Sequence, residues 1–320
     1  MALTEFELIR RYFTHRARGA VLGVGDDAAI VRARPGYELV ITADMLVAGR
    51  HFAGDADPEK LGHKALAVNL SDIAAMGASP RWATLALALP RADARWLAAF
   101  SRGFMRLARR HGVDLVGGDT TRGPLTICVQ IAGEVPTGRA LRRDGARMGD
   151  DIWVSGTLGD AALALAARRL RVAPRERRVL EARLDTPTPR ISLGIALRGV
   201  ARSAIDVSDG LVADLGHICE RSRVGAVVEL ASIPVSVAFK PHLDRPDARA
   251  ALLSGGDDYE LCFTAARARR EAIARLAHRV RLRLSRIGRI TRPQRGTPLV
   301  TVLDSSGRPI VVGQTGYKHF

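Results

Sequence analysis

The sequence predicts an α/β protein of two domains, on three observations. Strand-like and helix-like hydrophobic patterns alternate from Val21 to Glu134, and alternate again after Asp151. Between them, "PTGRALRRDGARMGDD", Pro136 to Asp151, is polar and turn-rich and forms the best boundary. The predicted domains are therefore residues 1–137 and 138–320. A chain of 320 residues that is 47% hydrophobic can fill both cores.

The elements follow in order. "MALTEFELIRRYF" has the spacing of an amphipathic helix, and "GVGDDAAIV", residues 23–31, is a Gly-x-Gly turn with two adjacent carboxylates. "ELVITADML" is a predicted strand, and "EKLGHKALAVNLSDIAAMG" a small-residue helix ended by Gly77. "ARWLAAFSRGFMRLARRHG" places Leu97, Phe100, Phe104, Leu107 and His111 at helical spacing and stops at Gly112. "VDLVGGD" and "LTICVQIAGEV" complete the first domain as strands. In the second, "IWVSG", "GAVVEL", "YELCFTA", Leu282–Ile290 and Leu299–Leu303 are predicted strands. "GDAALALAARRL", "SDGLVADLGHICERS" and Ala268–His278 are predicted helices.

Lys+Arg number 49 against Asp+Glu 33, a net charge of +16. The basic residues are almost all arginines dispersed over predicted helices, as in "ARRLRVAPRERRV" from Ala167 to Val179, without interleaved aromatics. That pattern suits solvated helix faces better than a nucleic-acid groove. Cys128, Cys219 and Cys262 stand far apart in apolar runs with no CxxC spacing, which predicts reduced thiols and a cytoplasmic protein. No apolar run approaches ~18 residues and the first residues lack a signal-peptide pattern, so no membrane association is expected.

Short acidic motifs recur: Asp26-Asp27 after Gly25, Asp44 closing "VITAD", Asp72 in "NLSDIAAMG", Asp119 after "LVGG", and Asp206 and Asp209 in "IDVSDG". All but Asp72 are expected at strand ends or helix starts, where side chains reach a crevice. Each could be a helix cap or turn former. Together, with few Cys or His neighbours, they point to a hard-oxygen site suited to Mg²⁺. "GVGDDA" also imitates a dinucleotide-binding G-x-G-x-x-A turn, with Asp44 as the ribose-binding acid. Two carboxylates on that turn would repel a pyrophosphate. No G-x-x-x-x-G-K-[ST] is present, which excludes a P-loop.

"GVGDDAAI", "TADMLVAGRHF", "HKALAVNLSDIAAMGASPRWATLALALP", "GGDTTRGPLTICVQIAGEVP", "RRDGARMGDDIWVSGTLGDA", "AIDVSDGLVADLGHIC", "SGGDDYELCF" and "GYKHF" together resemble the thiamine-monophosphate kinases, from about Glu5 to Phe320. "NLSDIAAMGASP" and "SDGLVADLGHI" mark the wider aminoimidazole ribonucleotide synthetase-like superfamily. The resemblance implies a two-domain fold of that superfamily, α/β in the α+β sense. Its N-terminal domain would bind ATP and Mg²⁺ and pair its sheet with a second copy into a homodimer barrel, and its C-terminal domain would complete a cleft for ATP and substrate. It implies ATP-dependent phosphorylation of thiamine monophosphate to thiamine diphosphate with several Mg²⁺ ions. By the same resemblance Asp27, Thr42, Asp44, Asp72, Asp119, Asp206 and Asp209 are metal ligands. Gly118, Asp119, Arg143 and Ser208 touch ATP, with Asp119 and Arg143 at the transferring phosphoryl group, and His51, Asp257 and Tyr317 touch the thiamine phosphate. Two positions depart from the family pattern: Ala43 replaces a hydroxyl residue, and Asp257 stands where Glu is common, keeping the charge with a shorter reach. Of the three acidic doublets, Asp26-Asp27 reads as a metal turn, Asp150-Asp151 as a structural turn and Asp257-Asp258 as a substrate turn.

Overall fold

A computed structural model describes residues 5–15, 17–166, 172–294, 296–313 and 316. The chain divides into two compact units, Met1–Ile73 with Ala78–Gly138, and Ala74–Gly77 with Arg139–Phe320.

The first unit runs α1 (Glu5–Tyr12), β1 (Ala20–Leu22), β2 (Ile30–Val31), β3 (Tyr37–Val47), α2 (Pro58–Ala75), β4 (Ser79–Leu89), α3 (Ala94–His111), β5 (Asp114–Arg122) and β6 (Thr126–Pro136). Its main sheet has the order β3-β6-β4-β5, with β4 and β5 parallel and the other pairs antiparallel. Period-two alternation gives β6 a buried row, Ile127, Val129 and Ile131, and a more exposed row containing Cys128 and Gln130. On β3 the same alternation leaves Leu39 43%, Ile41 59% and Met45 56% exposed. Asp93 starts α3 by accepting the N–H groups of Arg95 and Trp96, and Gly112 ends it in the left-handed conformation. Leu97, Phe100, Phe104 and Leu107 are buried, as their spacing predicts.

The second unit runs β7 (Asp151–Ser155), α4 (Asp160–Ala166), α5 (Pro174–Asp185), α6 (Ile191–Leu197), β8 (Ser203–Asp206), α7 (Leu211–Ser222), β9 (Gly225–Glu229), α8 (Pro246–Ser254), β10 (Leu261–Ala265), α9 (Arg270–Val280), β11 (Leu284–Thr291), β12 (Val300–Leu303) and β13 (Pro309–Ile310). The sheet order is β13-β12-β9-β11-β7-β10-β8. Every residue of β8 and β10 is buried, the polar Ser203, Asp206 and Thr264 included, and the Ser203 and Thr264 hydroxyls satisfy each other at 2.7 Å. Cys219 and Cys262 lie in this core, where burial pushes the Cys219 thiol up to about 12 and the Cys262 thiol higher still.

One expectation is corrected. Asp44 and Asp119 lie inside β3 and β5, not at their ends, because pairing to β6 and β4 continues to Val47 and Arg122. The Gly-x-Gly turn leads to β2, so the strand–turn–helix context of a dinucleotide site is missing. Of the arginine-rich stretch, residues 167–171 lie outside the described residues, and α5 starts at Pro174, where proline's fixed φ suits a first turn.

Of the Asp150-Asp151 doublet, Asp150 closes a turn by donating its N–H to Arg147 O at 3.0 Å and Asp151 opens β7, and both are buried. Asp150 accepts the N–H of Arg147 at 2.9 Å and pairs with Arg202 at 2.7 Å, while Asp151 holds Arg270 in a two-pronged bridge. Burial still raises the Asp150 carboxyl above the ordinary carboxylate range. A raised folded-state pKa contributes stability at low pH that is lost as pH rises through it. Asp150→Asn is therefore expected to leave any catalysis unchanged and to flatten the fall in thermal stability as pH rises from the ordinary aspartate value to the raised one; an unchanged pH–melting curve would contradict this.

Candidate active site

On β3, Thr42 and Asp44 stand two residues apart and therefore on one face of the sheet, the face on which Leu46 is buried. On α2, Asn69 and Asp72 stand three apart on one helix face. The Thr42 hydroxyl donates to Asp72 Oδ2 at 2.6 Å, and the Asp44 N–H donates to Asn69 Oδ1 at 3.1 Å. Burial first, and then the charge of Asp72, pushes the Asp44 carboxyl up to about 7. Asn69 was not among the expected site residues, although its place three before Asp72 puts it on the same helix face.

The other expected residues of this unit stand apart from that group. Asp27 is exposed, and its N–H donates to Asp26 Oδ1 at 2.9 Å, so Asp26 shapes the turn. Asp119 is exposed in the row Met45–Cys128–Ala86–Asp119, one row over from Asp44. Gly118 before it has φ +150°, and a Cβ there would lie 1.9 Å from Leu85 O. His51 Nδ1 accepts the Val47 N–H at 3.0 Å, which fixes the ring just beyond β3 and leaves the proton of the neutral ring on Nε2.

In the second unit two loops are hydrogen-bonded into one frame. The Asp257 N–H donates to Ser208 O at 2.9 Å and the Tyr259 N–H to Val207 O at 2.8 Å. Gly256 makes this approach possible, since a Cβ there would lie 2.1 Å from Ser208 O. Asp206 ends β8 and is 3% exposed, while Ser208 and Asp209 are half-buried on the loop entering α7. Asp257 adopts a left-handed backbone, φ +68°, and its Oδ1 accepts the Tyr259 hydroxyl at 2.8 Å. Arg143 is exposed on a short helical turn whose backbone is held by Ser222 Oγ donating to Arg143 O at 2.7 Å. Tyr317 lies outside the described residues.

Beneath this frame is a charge network that no local pattern announced. Glu260 is fully buried and accepts from Ser155 Oγ at 2.6 Å, Arg183 Nη2 at 2.7 Å, Arg190 Nε at 2.6 Å and also Arg190 Nη2. Asp258 accepts the Gly159 N–H at 2.8 Å, and burial raises its carboxyl well above the usual range. Among the described residues no three His, Cys, Asp or Glu side chains form a ready-made metal cage. The first unit offers an all-oxygen group of two carboxylates and a hydroxyl, able to share a hard cation with a ligand that brings its own oxygens.

Residues 25–135 match the AIR synthase related protein N-terminal domain, and residues 147–301 match its C-terminal domain. The chain is similar to thiamine-monophosphate kinase of Escherichia coli strain K12, 46% identical over 327 residues, covering 100% of this chain and 99% of that protein. The crystal structure of thiamine-monophosphate kinase from Stenotrophomonas maltophilia K279a superposes with TM-score 0.86 at 51% identity, covering 94% of this chain and 97% of that one. A structure described as AaThiL complexed with AMPPCP and TMP superposes with TM-score 0.77 at 31% identity, covering 98% and 96%.

Proposed function

The chain belongs to the thiamine-monophosphate kinase family of the AIR synthase related proteins, and from that premise we infer that it transfers the γ-phosphoryl group of ATP to thiamine monophosphate, releasing ADP and thiamine diphosphate. The observation that carries this is 46% identity along the whole chain to an enzyme of that name, joined by a 31% identical structure complexed with AMPPCP and TMP.

Phosphoryl transfer through a loose, in-line transition state asks a protein for positioning and charge neutralisation. The acceptor phosphate has a second pKa of about 6, so it is largely dianionic at neutral pH and needs no general base. Mg²⁺ is proposed as the counter-charge, and when bound it screens the repulsion between the two phosphates. The donor set fits it: Thr42, Asp44 and Asp72 are all hard oxygen donors, and the burial and neighbouring Asp72 charge that lift Asp44 to about 7 are a cost to its anion that a cation offsets. Asp27, Asp119, Asp206 and Asp209 are proposed as further ligands. Gly118, Asp119, Arg143 and Ser208 are assigned to ATP, and an arginine fork at position 143 suits a phosphate. His51, Asp257 and Tyr317 are assigned to thiamine monophosphate. We further propose a homodimer formed over the open face of β3, where Leu39, Ile41 and Met45 leave an apolar strip, and a cytoplasmic location consistent with three free cysteines.

The deciding experiment is ADP formation by purified protein with Mg²⁺-ATP and thiamine monophosphate, thiamine or formylglycinamidine ribonucleotide. Turnover is expected with the first; turnover with the ribonucleotide alone would replace this reading with another reaction of the superfamily. Tyr259→Phe removes the hydroxyl that Asp257 accepts, so a three- to ten-fold rise (roughly) in KM for thiamine monophosphate is expected, with KM for ATP unchanged. Equal shifts in both constants would dissociate Asp257 from the acceptor.

A further inference from the structure

We propose that Asp214 is a positioning residue that holds the Ser208–Gly210 backbone in the form the nucleotide end of the site uses. This rests on the roles inferred above for Ser208 and Asp209. Asp214 lies in the first turn of α7 and reaches back toward the loop that precedes it. Its single oxygen Oδ2 takes the N–H of Ser208 at 3.0 Å, of Asp209 at 3.1 Å and of Gly210 at 3.0 Å. Successive backbone N–H groups converging on one point form a concave nest that suits an anion. Here the protein's own carboxylate fills it, at 2% exposure.

The neighbouring contacts say what the nest is for. The Ser208 peptide is gripped from both sides, its N–H by Asp214 and its C=O by the Asp257 N–H at 2.9 Å. Gly210 has φ +127°, and a Cβ there would lie 2.7 Å from the Ser254 carbonyl carbon, so the loop is shaped to one tight conformation. Val207 and Gly210 are buried while Ser208 and Asp209 between them stay half-exposed. The carboxylate thus turns three peptide N–H groups inward and leaves two polar side chains available. Losing it would orphan three donors in a buried turn, and the loop would reorganise to satisfy them.

Asp214→Asn keeps an acceptor oxygen without the charge, and Asp214→Ala removes it. In the full-length enzyme KM for ATP is expected to rise about three-fold in the Asn variant and about thirty-fold in the Ala variant, with KM for thiamine monophosphate moving less. Wild-type KM for ATP in either folded variant overturns the proposal. So does a parallel loss in both KM values and kcat that tracks the melting temperature, which marks a purely structural acid. Should the Ala variant not fold, the split in the Asn variant decides. Amide hydrogen exchange without substrates is expected to speed up at Ser208, Asp209 and Gly210 in Asp214→Asn, and unchanged exchange there overturns the proposal whatever the reaction. Failure of the wild type to act on thiamine monophosphate would instead count against the inferred reaction.

Discussion

Asp72→Asn is expected to lower turnover by about a thousand-fold or more while the circular dichroism spectrum stays as in the wild type. Asparagine matches aspartate in shape and can still accept the Thr42 hydroxyl, so the 2.6 Å contact and the packing of α2 on β3 persist. The change is confined to charge. One of two adjacent carboxylates becomes neutral, and the site loses a charge that attracts a divalent cation. In a reaction between two anionic phosphates, that counter-charge is most of what the protein has to supply. Asp119→Asn is expected to act similarly without touching the Thr42–Asp72 contact. The check is ADP formation at saturating ATP and Mg²⁺, beside melting curves. Wild-type rates in either variant would make these carboxylates structural.

Glu260→Ala is expected to cost about 3–5 kcal/mol of stability in the second unit, the range for removing one partner from a buried ion pair. Glu260 has no exposure, and Arg183 and Arg190 both converge on it. Alanine would leave two guanidinium groups facing a cavity. The Ser155 hydroxyl would also lose its acceptor, and that serine receives the Leu261 N–H at 2.9 Å between β7 and β10. Urea unfolding reads the loss directly, as a lower midpoint and a melting temperature lower by about 10 °C. A variant within about 1 kcal/mol of wild type would mean that water rehydrates both arginines and that the network adds little.

The two cases differ in how far they were legible beforehand. Asp72 is legible because a carboxylate amid "NLSDIAAMG" contradicts an otherwise small, apolar helix, and such contradictions mark sites. The buried alternation of Ile127, Val129 and Ile131 and the stops at Gly77 and Gly112 are local patterns, and they survive in the structure. Glu260 with Arg183 and Arg190 has no such pattern, because its partners lie 77 and 70 residues away. Strand β4, "SPRWATLALAL", is not legible as a strand because alanine and leucine are helix formers and only sheet pairing makes them one. Asp44 and Asp119 are expected at strand ends because side chains there reach a crevice; instead the pairing of β3 and β5 runs on past them, against the low strand preference of aspartate. Asp214 was in view within "SDGLVADLGHI", yet its role depends on a backward reach that letters alone do not display.

The order of the seven-stranded sheet has a consequence for biosynthesis. β7 sits between β10 and β11, and its Val154 pairs with Cys262, more than a hundred residues later in the chain. A ribosome adding about 5–20 residues per second makes β7 several seconds before either neighbour exists. Throughout that interval Ile152 and Val154, fully buried at the end, belong to a strand with both edges unpaired. The nascent chain therefore carries an open template for mispairing until β10 and β11 leave the exit tunnel, and its yield in a cell depends on how well that early strand is shielded while it waits.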